Sequence, residues 1–288
     1  MGYSARYHAT SLIAVFIALA IGILIGAEFG GDALDDTRRD LEQSLVGNLQ
    51  DARSRADELN AELNRSDEFA ERVYPVLARD RLEGRRYAIL ALGGLPSPVT
   101  DEVEEALAPT GGRLVGVGVV REPVDVNGLA EDLAKTRFSD LRTNSDALTE
   151  LGTGLGRQLM LGGTLPEVVR GHLFSRASGS FGGLDGMIVV RDQPEEMGVV
   201  QREKTNQLEE GLMSGITATR LPAVGVETST DDSSSISFFQ ASDLASVDHI
   251  DLPAGKLAMV FALLGADGSF GVKGTADQLL PDLLTEGE

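Results

Sequence analysis

Tyr87-Ala88-Ile89-Leu90-Ala91-Leu92-Gly93-Gly94 is a short, continuously apolar run closed by two glycines, the pattern of a β-strand buried on both faces. Residues 100–108 follow with helical character, and Gly111-Gly112 leads into a second apolar run at 114–120. Strand, helix, strand at this spacing predicts a βαβ unit with a right-handed crossover. Residues 187–190 and 223–226 read as two more buried strands, separated by a helix over 199–213 with Leu208 and Leu212 on one face. Leu148, Leu151, Leu155 and Leu159 lie at helical spacing and predict a helix over 146–162. Alternation of this kind predicts an α/β fold, a Rossmann-like domain over residues 84–288. The Ser/Asp-rich stretch 228–237 predicts a mobile surface loop.

Upstream of the domain the pattern changes twice. From Ala9 to Ala27 there are nineteen residues without a charge, enough for a helix of about 28 Å against a hydrocarbon layer of about 30 Å. The segment is therefore predicted to span a membrane, with residues 1–28 as cytoplasmic tip and anchor. A cleaved signal peptide has a shorter apolar region of about 7 to 15 residues, so a retained anchor is the expectation. Arg6 precedes the span and Glu28, Asp32, Asp35 and Asp36 follow it, which places the N-terminus in the cytoplasm and the bulk of the chain outside. Ala18, Gly22 and Gly26 form a small-residue face of the kind that lets two membrane helices approach.

Residues 29–83 are polar with regularly spaced aliphatics. Leu45, Leu49, Ala52, Ala56, Leu59 and Leu63 follow one another at alternating steps of four and three, the a/d seam of a coiled coil. Arg38 with Glu42 and Asp51 with Arg55 are opposite charges four residues apart, as on an exposed helix. The seam predicts a homodimer, or a protein partner that contributes a helix. Pro75 is expected to end or kink this helix, and Gly84 to open the next domain.

Composition narrows the function. With 45 acidic and 25 basic residues the net charge is −20, so a polyanion is repelled and nucleic acid is no expected ligand. The absence of cysteine rules out disulfides, thiolate metal sites and thiol catalysis. Gly93-Gly94-Leu95-Pro96 lacks the G-x-G-x-x-G spacing of a phosphate loop. Gly152-x-Gly154-x-Gly156 follows helix-like residues and reads as a break between helices. His8, His172 and His249 are the only histidines, and no G-x-S-x-G elbow accompanies them. The chain is thus expected to be no enzyme and to carry no cofactor. Asp248, His249 and Asp251 are the sole local cluster of mixed metal donors; it reads as a structural turn, with a ligand site as the alternative.

The N-terminal residues His8, Ser11-Leu12, Ala14-Val15-Phe16, Ala18-Leu19-Ala20, Gly22 and Gly26, followed by a stalk, resemble the actinobacterial copper transporter family. Val247-Asp248-His249-Ile250-Asp251, Gly255 and Val260-Phe261-Ala262-Leu263 are similar to its second recognisable stretch. The resemblance implies an envelope protein with a role in copper efflux or copper homeostasis. Other relatives resemble the SteB half of a cell-separation pair that controls septal peptidoglycan hydrolases, where stalk and outer domain would bind partners. Where that family carries a His- and Gly-rich segment near its end, this chain has Gly268-Ser269-Phe270-Gly271-Val272-Lys273-Gly274. Scarcity of soft ligands favours a membrane-anchored scaffold or regulator over copper handling.

Overall fold

The computed structural model describes residues 5–144, 146–194, 196–231 and 233–282, with the side chains of 5–7, 28–40 and 42 outside the description. Arg6, Glu28, Asp32, Asp35, Asp36, Arg38 and Glu42, which carry the predicted orientation and one predicted stalk ion pair, lie among those side chains. The chain divides into two compact units, Met1–Ser66 and Asp67–Glu288.

From Ala5 onward the first unit belongs to α1 (Ala5–Ala78). Residues His8–Ala27 of this helix are long and apolar enough to cross a membrane. Asp51 and Arg55 form no ion pair among the described residues; the i,i+4 pair found on α1 is Glu68 with Arg72 at 2.5 Å, and both are exposed. Exposed pairs of this kind contribute only tenths of a kcal/mol, so the register of α1 rests on its apolar positions.

The second unit contains the last turns of α1, then β1 (Arg86–Gly93), α2 (Ser97–Leu107), a 3₁₀ turn, β2 (Arg113–Val120), α3 (Val126–Asp132) and α4 (Ala147–Leu161). The short helices α5 (Leu165–Val168) and α6 (Arg170–Leu173) lead into β3 (Phe174–Gly179). After it come β4 (Gly186–Asp192), α7 (Val199–Thr217), β5 (Ala223–Val226), α8 (Ile236–Ala241), β6 (Ala245–Val247), α9 (Pro253–Ala262) and β7 (Ser269–Phe270). The strands form one sheet in the order β3-β2-β1-β4-β5-β6-β7. All neighbours are parallel except β2 with β3, where Val117 faces Ser178. This is the Rossmann order with an antiparallel strand at one edge and a seventh strand at the other.

Period-two alternation along β1 divides the core. Ala88, Leu90 and Leu92 pack with α3, α4, α7 and α8 on one face. Tyr87, Ile89 and Ala91 pack with α2 and α9 on the other. The result is a three-layer α/β/α sandwich with β1 buried on both sides, as its sequence demands. Lys256 of α9 pins this second layer, reaching Glu102 and Glu105 of α2 at 2.8 Å each.

Three expectations are corrected. The glycines Gly152, Gly154 and Gly156 are interior to α4 and break nothing. A Cβ on Gly152 would lie 2.6 Å from the Leu208 carbonyl oxygen of α7, and one on Gly156 would strike Leu212, so the missing side chains let the two helix backbones touch. Pro75 does not end α1, which continues to Ala78 because Tyr74 and Ala78 are clamped against Leu257 and Phe261 of α9. That contact also ties the last turns of α1 to the compact unit Asp67–Glu288. Finally, the stretch 228–237 is not wholly at the surface: among its described residues Thr228 and Ser235 are buried, and Ser234 and Ser235 both donate to the Glu227 carboxylate.

Candidate functional site

In the first unit, apolar side chains lie bare. Leu12, Val15, Phe16, Leu19, Ile23 and Leu24 are all exposed, which fits a lipid environment rather than water. Ala18, Gly22 and Gly26 are exposed as well, with open space at both glycines for any Cβ. Leu45, Leu49, Leu59 and Leu63 are 56–60% exposed, and Ala52 and Ala56 between them are exposed too. Leu41 and Val46 widen this apolar face. Sequence reading missed those two because they stand beside the a/d positions rather than on them.

In the second unit, the crevice where a Rossmann-like sheet holds its ligand lies between β1 and β4, where the strand order reverses. Here that crevice is filled by acids. A Cβ on Gly94 would strike the Asp192 carboxylate, and one on Gly93 would come within 2.9 Å of Glu122 Oε2. Gly94 spends its N–H on the Asp192 carbonyl at 2.7 Å, so that donor is not free for a phosphate. Behind this layer Glu209 of α7 is 1% exposed and is held by both Nε and Nη2 of Arg191, at 3.1–3.3 Å, and by Gln193 at 2.9 Å. Neither carboxyl oxygen of Glu122 has a donor. Burial, then the negative charge and hydrogen bond of Glu209, push the Glu122 carboxyl up to about 9, so it is neutral at pH 7. The side chains packed on Gly93 and Gly94, rather than their charge, leave a nucleotide's phosphates no approach to this loop.

Asp248, His249 and Asp251 lie in the turn from β6 to α9, and each has work inside the fold. The Asp248 carboxylate accepts the backbone N–H groups of Val272 and Lys273, both at 2.9 Å, and contacts His249 Nδ1 at 3.1 Å. Asp251 accepts the N–H and hydroxyl of Ser229 at 2.7 and 2.6 Å. Lys273 Nζ joins this end of the sheet to Glu227 at 2.8 Å. Asp248 and His249 are fully buried, and His249 Nε2 has no partner. Gly271 is obligatory here, since a Cβ would run into the Asp248 carboxylate.

Met160, Met187 and Met213 are locked in one core layer and Met259 in the other. His172 is tied through Nδ1 to Asp132 at 2.7 Å, and that hydrogen bond, set against its desolvation, raises its pKa. Among the described residues no three His, Cys, Asp or Glu side chains gather as a metal site.

A helix long and apolar enough to cross a membrane, continuing into a helical stretch with an exposed apolar seam and followed in the chain by a sheet of Rossmann-like order, defines the class: an α/β protein with one candidate membrane helix near its N-terminus. More particularly, the chain belongs to the family described as "Copper transport outer membrane protein, MctB", whose model matches residues 3–281. It is similar to the proteins named "Copper transporter MctB" of Mycobacterium bovis and Mycobacterium tuberculosis, with 28% identity over 149 residues, 51% of this chain and 48% of each relative. The matched stretch thus spans about half the length of these curated relatives.

Proposed function

We propose that this protein is a non-enzymatic component of the cell envelope, held by α1 with its N-terminus in the cytoplasm, that acts by self-association or by capturing a partner's helix along its stalk. One observation carries the reading: Leu45, Leu49, Leu59 and Leu63 form a heptad seam that is exposed along α1, and such a seam is stabilised by packing against another helix. Resemblance to the SteB-like relatives supports cell separation through peptidoglycan hydrolase control. Chemical cross-linking of the full chain in its membrane tests the reading. A dimer or a partner adduct is expected, and it should disappear when Leu49, Leu59 and Leu63 are made aspartate; the same adducts in that variant would refute it.

A second reading, copper homeostasis at the envelope, is favoured by the family and by the names of the relatives. Core-buried methionines and tethered histidines argue that copper, if handled, is handled by an assembly rather than by one chain. Calorimetric titration of the full chain in detergent with Cu(I) is expected to show no tight stoichiometric site. Such a site, if found, would put copper binding first.

A further inference from the structure

The geometry at the C-terminal edge of the sheet points to a regulatory device: we propose that Asp248 and His249 form an acid-sensitive latch, so that a proton taken up by His249 releases β7 and the segment through Gln278 from β6. β7 is two residues long and is the edge strand. It pairs with β6 over only two residues, Ser246 with Ser269 and Val247 with Phe270, flanked by Ser246 N–H on the Gly268 carbonyl at 3.0 Å and Asp248 N–H on the Phe270 carbonyl at 3.1 Å. The two amides that follow, Val272 and Lys273, are held by the Asp248 side chain instead. So short a strand keeps its place through that carboxylate and through Phe270, which is buried in the core.

The imidazole that leans on the same carboxylate is fully buried. Neutral His249 donates from Nδ1 to Asp248 Oδ1, leaving Nε2 as a buried lone pair without a partner. Protonation would create an N–H at Nε2 with no acceptor and place a charge where water does not reach, both costly while the latch stays shut. Asp248 and Asp251 on its own turn oppose that cost, but burial outweighs them and holds the imidazole below its ordinary range. The other charged groups nearby are already engaged: Glu227 after β5 by Lys273 after β7, and Lys256 of α9 by Glu102 and Glu105.

The sign follows from linkage. The folded pKa lies below the unfolded one, so the latch is at full strength above about pH 6.5 and weakens as pH falls toward the folded value. Ordinary carboxylates protonate near pH 4, below that window, and Glu122, whose raised pKa makes the fold firmer as pH falls, acts in the opposite sense. His172 shifts the opposite way and serves as an internal control.

Hydrogen exchange on the full chain in detergent, corrected for the intrinsic pH dependence of exchange, tests the latch. Opening of residues 268–278 is expected to rise about tenfold between pH 7.5 and pH 5.5, with amides of β1 unaffected. His249→Asn keeps a donor toward Asp248 but does not titrate, and should abolish the rise. A pH-independent segment in the wild type, or the same rise in H249N, would overturn the proposal. Should H249N not fold, the wild-type imidazole resonance decides: titration near 6.5 without opening of 268–278 overturns the latch, and titration that coincides with opening supports it.

Discussion

Gly152 of α4 stands against the backbone of α7, with the Leu208 carbonyl oxygen 2.6 Å from where a Cβ would be. Gly211 and Gly215 on α7 answer it, meeting the Thr149 and Thr153 carbonyls of α4. Gly154, by contrast, has only the Leu165 side chain at 3.3 Å and the tip of Arg137 at 3.9 Å near its Cβ position. The double variant G152A/G156A must therefore push the helices apart, at a cost of about 1–3 kcal/mol per site from overpacking, partly offset by about 1 kcal/mol of helix propensity. G154A gains the propensity without the clash and should raise the melting temperature. Thermal unfolding of the three proteins checks this pair of opposite signs; equal shifts would mean that the helices are not in backbone contact.

What the sequence revealed, and what it hid, follows from the same physics. Residues 87–92 and 187–190 were legible because a strand buried on both faces must be apolar at every position. β3 was not legible, since Phe174-Ser175-Arg176-Ala177-Ser178-Gly179 is a largely exposed edge strand with no apolar pattern. β6 and β7, at three and two residues, are too short to carry any period. The α4 glycines misled because helix propensity counts a missing side chain as a loss, whereas close packing against α7 turns it into a fit. The stalk seam could be read from spacing alone. The Glu122–Glu209 pair could not, as its members lie far apart along the chain and meet only when α7 crosses the end of β2.

Glu122 gives a pH dependence with a definite sign. Its folded pKa, about 9, stands above the ordinary carboxyl value because burial and Glu209 disfavour the charge. The folded chain thus keeps a proton that the unfolded chain gives up, and stability declines as pH rises from about 4.5 toward about 9. Glu122→Gln removes this slope. Denaturant melts at pH 5, 7 and 8.5 are expected to show E122Q gaining on the wild type with each step, and parallel curves would place the carboxyl in a wetter site.

Arg191 neutralises a nearly inaccessible carboxylate, Glu209, while lying 4.3 Å over the Phe238 ring. Arg191→Met leaves that charge buried and unpaired beside Glu122, and a broken buried pair costs about 3–5 kcal/mol. R191M/E209L removes both charges and should recover most of the loss. Chemical denaturation of the single and double variants measures the difference; equal destabilisation of the two would show that packing, not charge, is at stake.

The stalk seam offers a test by gain rather than loss. Ala52 and Ala56 sit between leucines at a and d positions, where a coiled coil is held by large side chains meeting across the seam. In α1 both are exposed, so replacing them meets no steric obstacle within the chain. If a second copy covers the seam in parallel register, each Ala→Leu change buries about 2 kcal/mol more apolar surface at the contact, which is more than tenfold in the dissociation constant. Analytical ultracentrifugation of A52L/A56L in detergent should then show the dimer persisting at concentrations where the wild type dissociates, with the melting of the α/β unit unchanged. If the association constant does not move, the seam faces something other than its own copy, and the same variant becomes the bait for a partner helix.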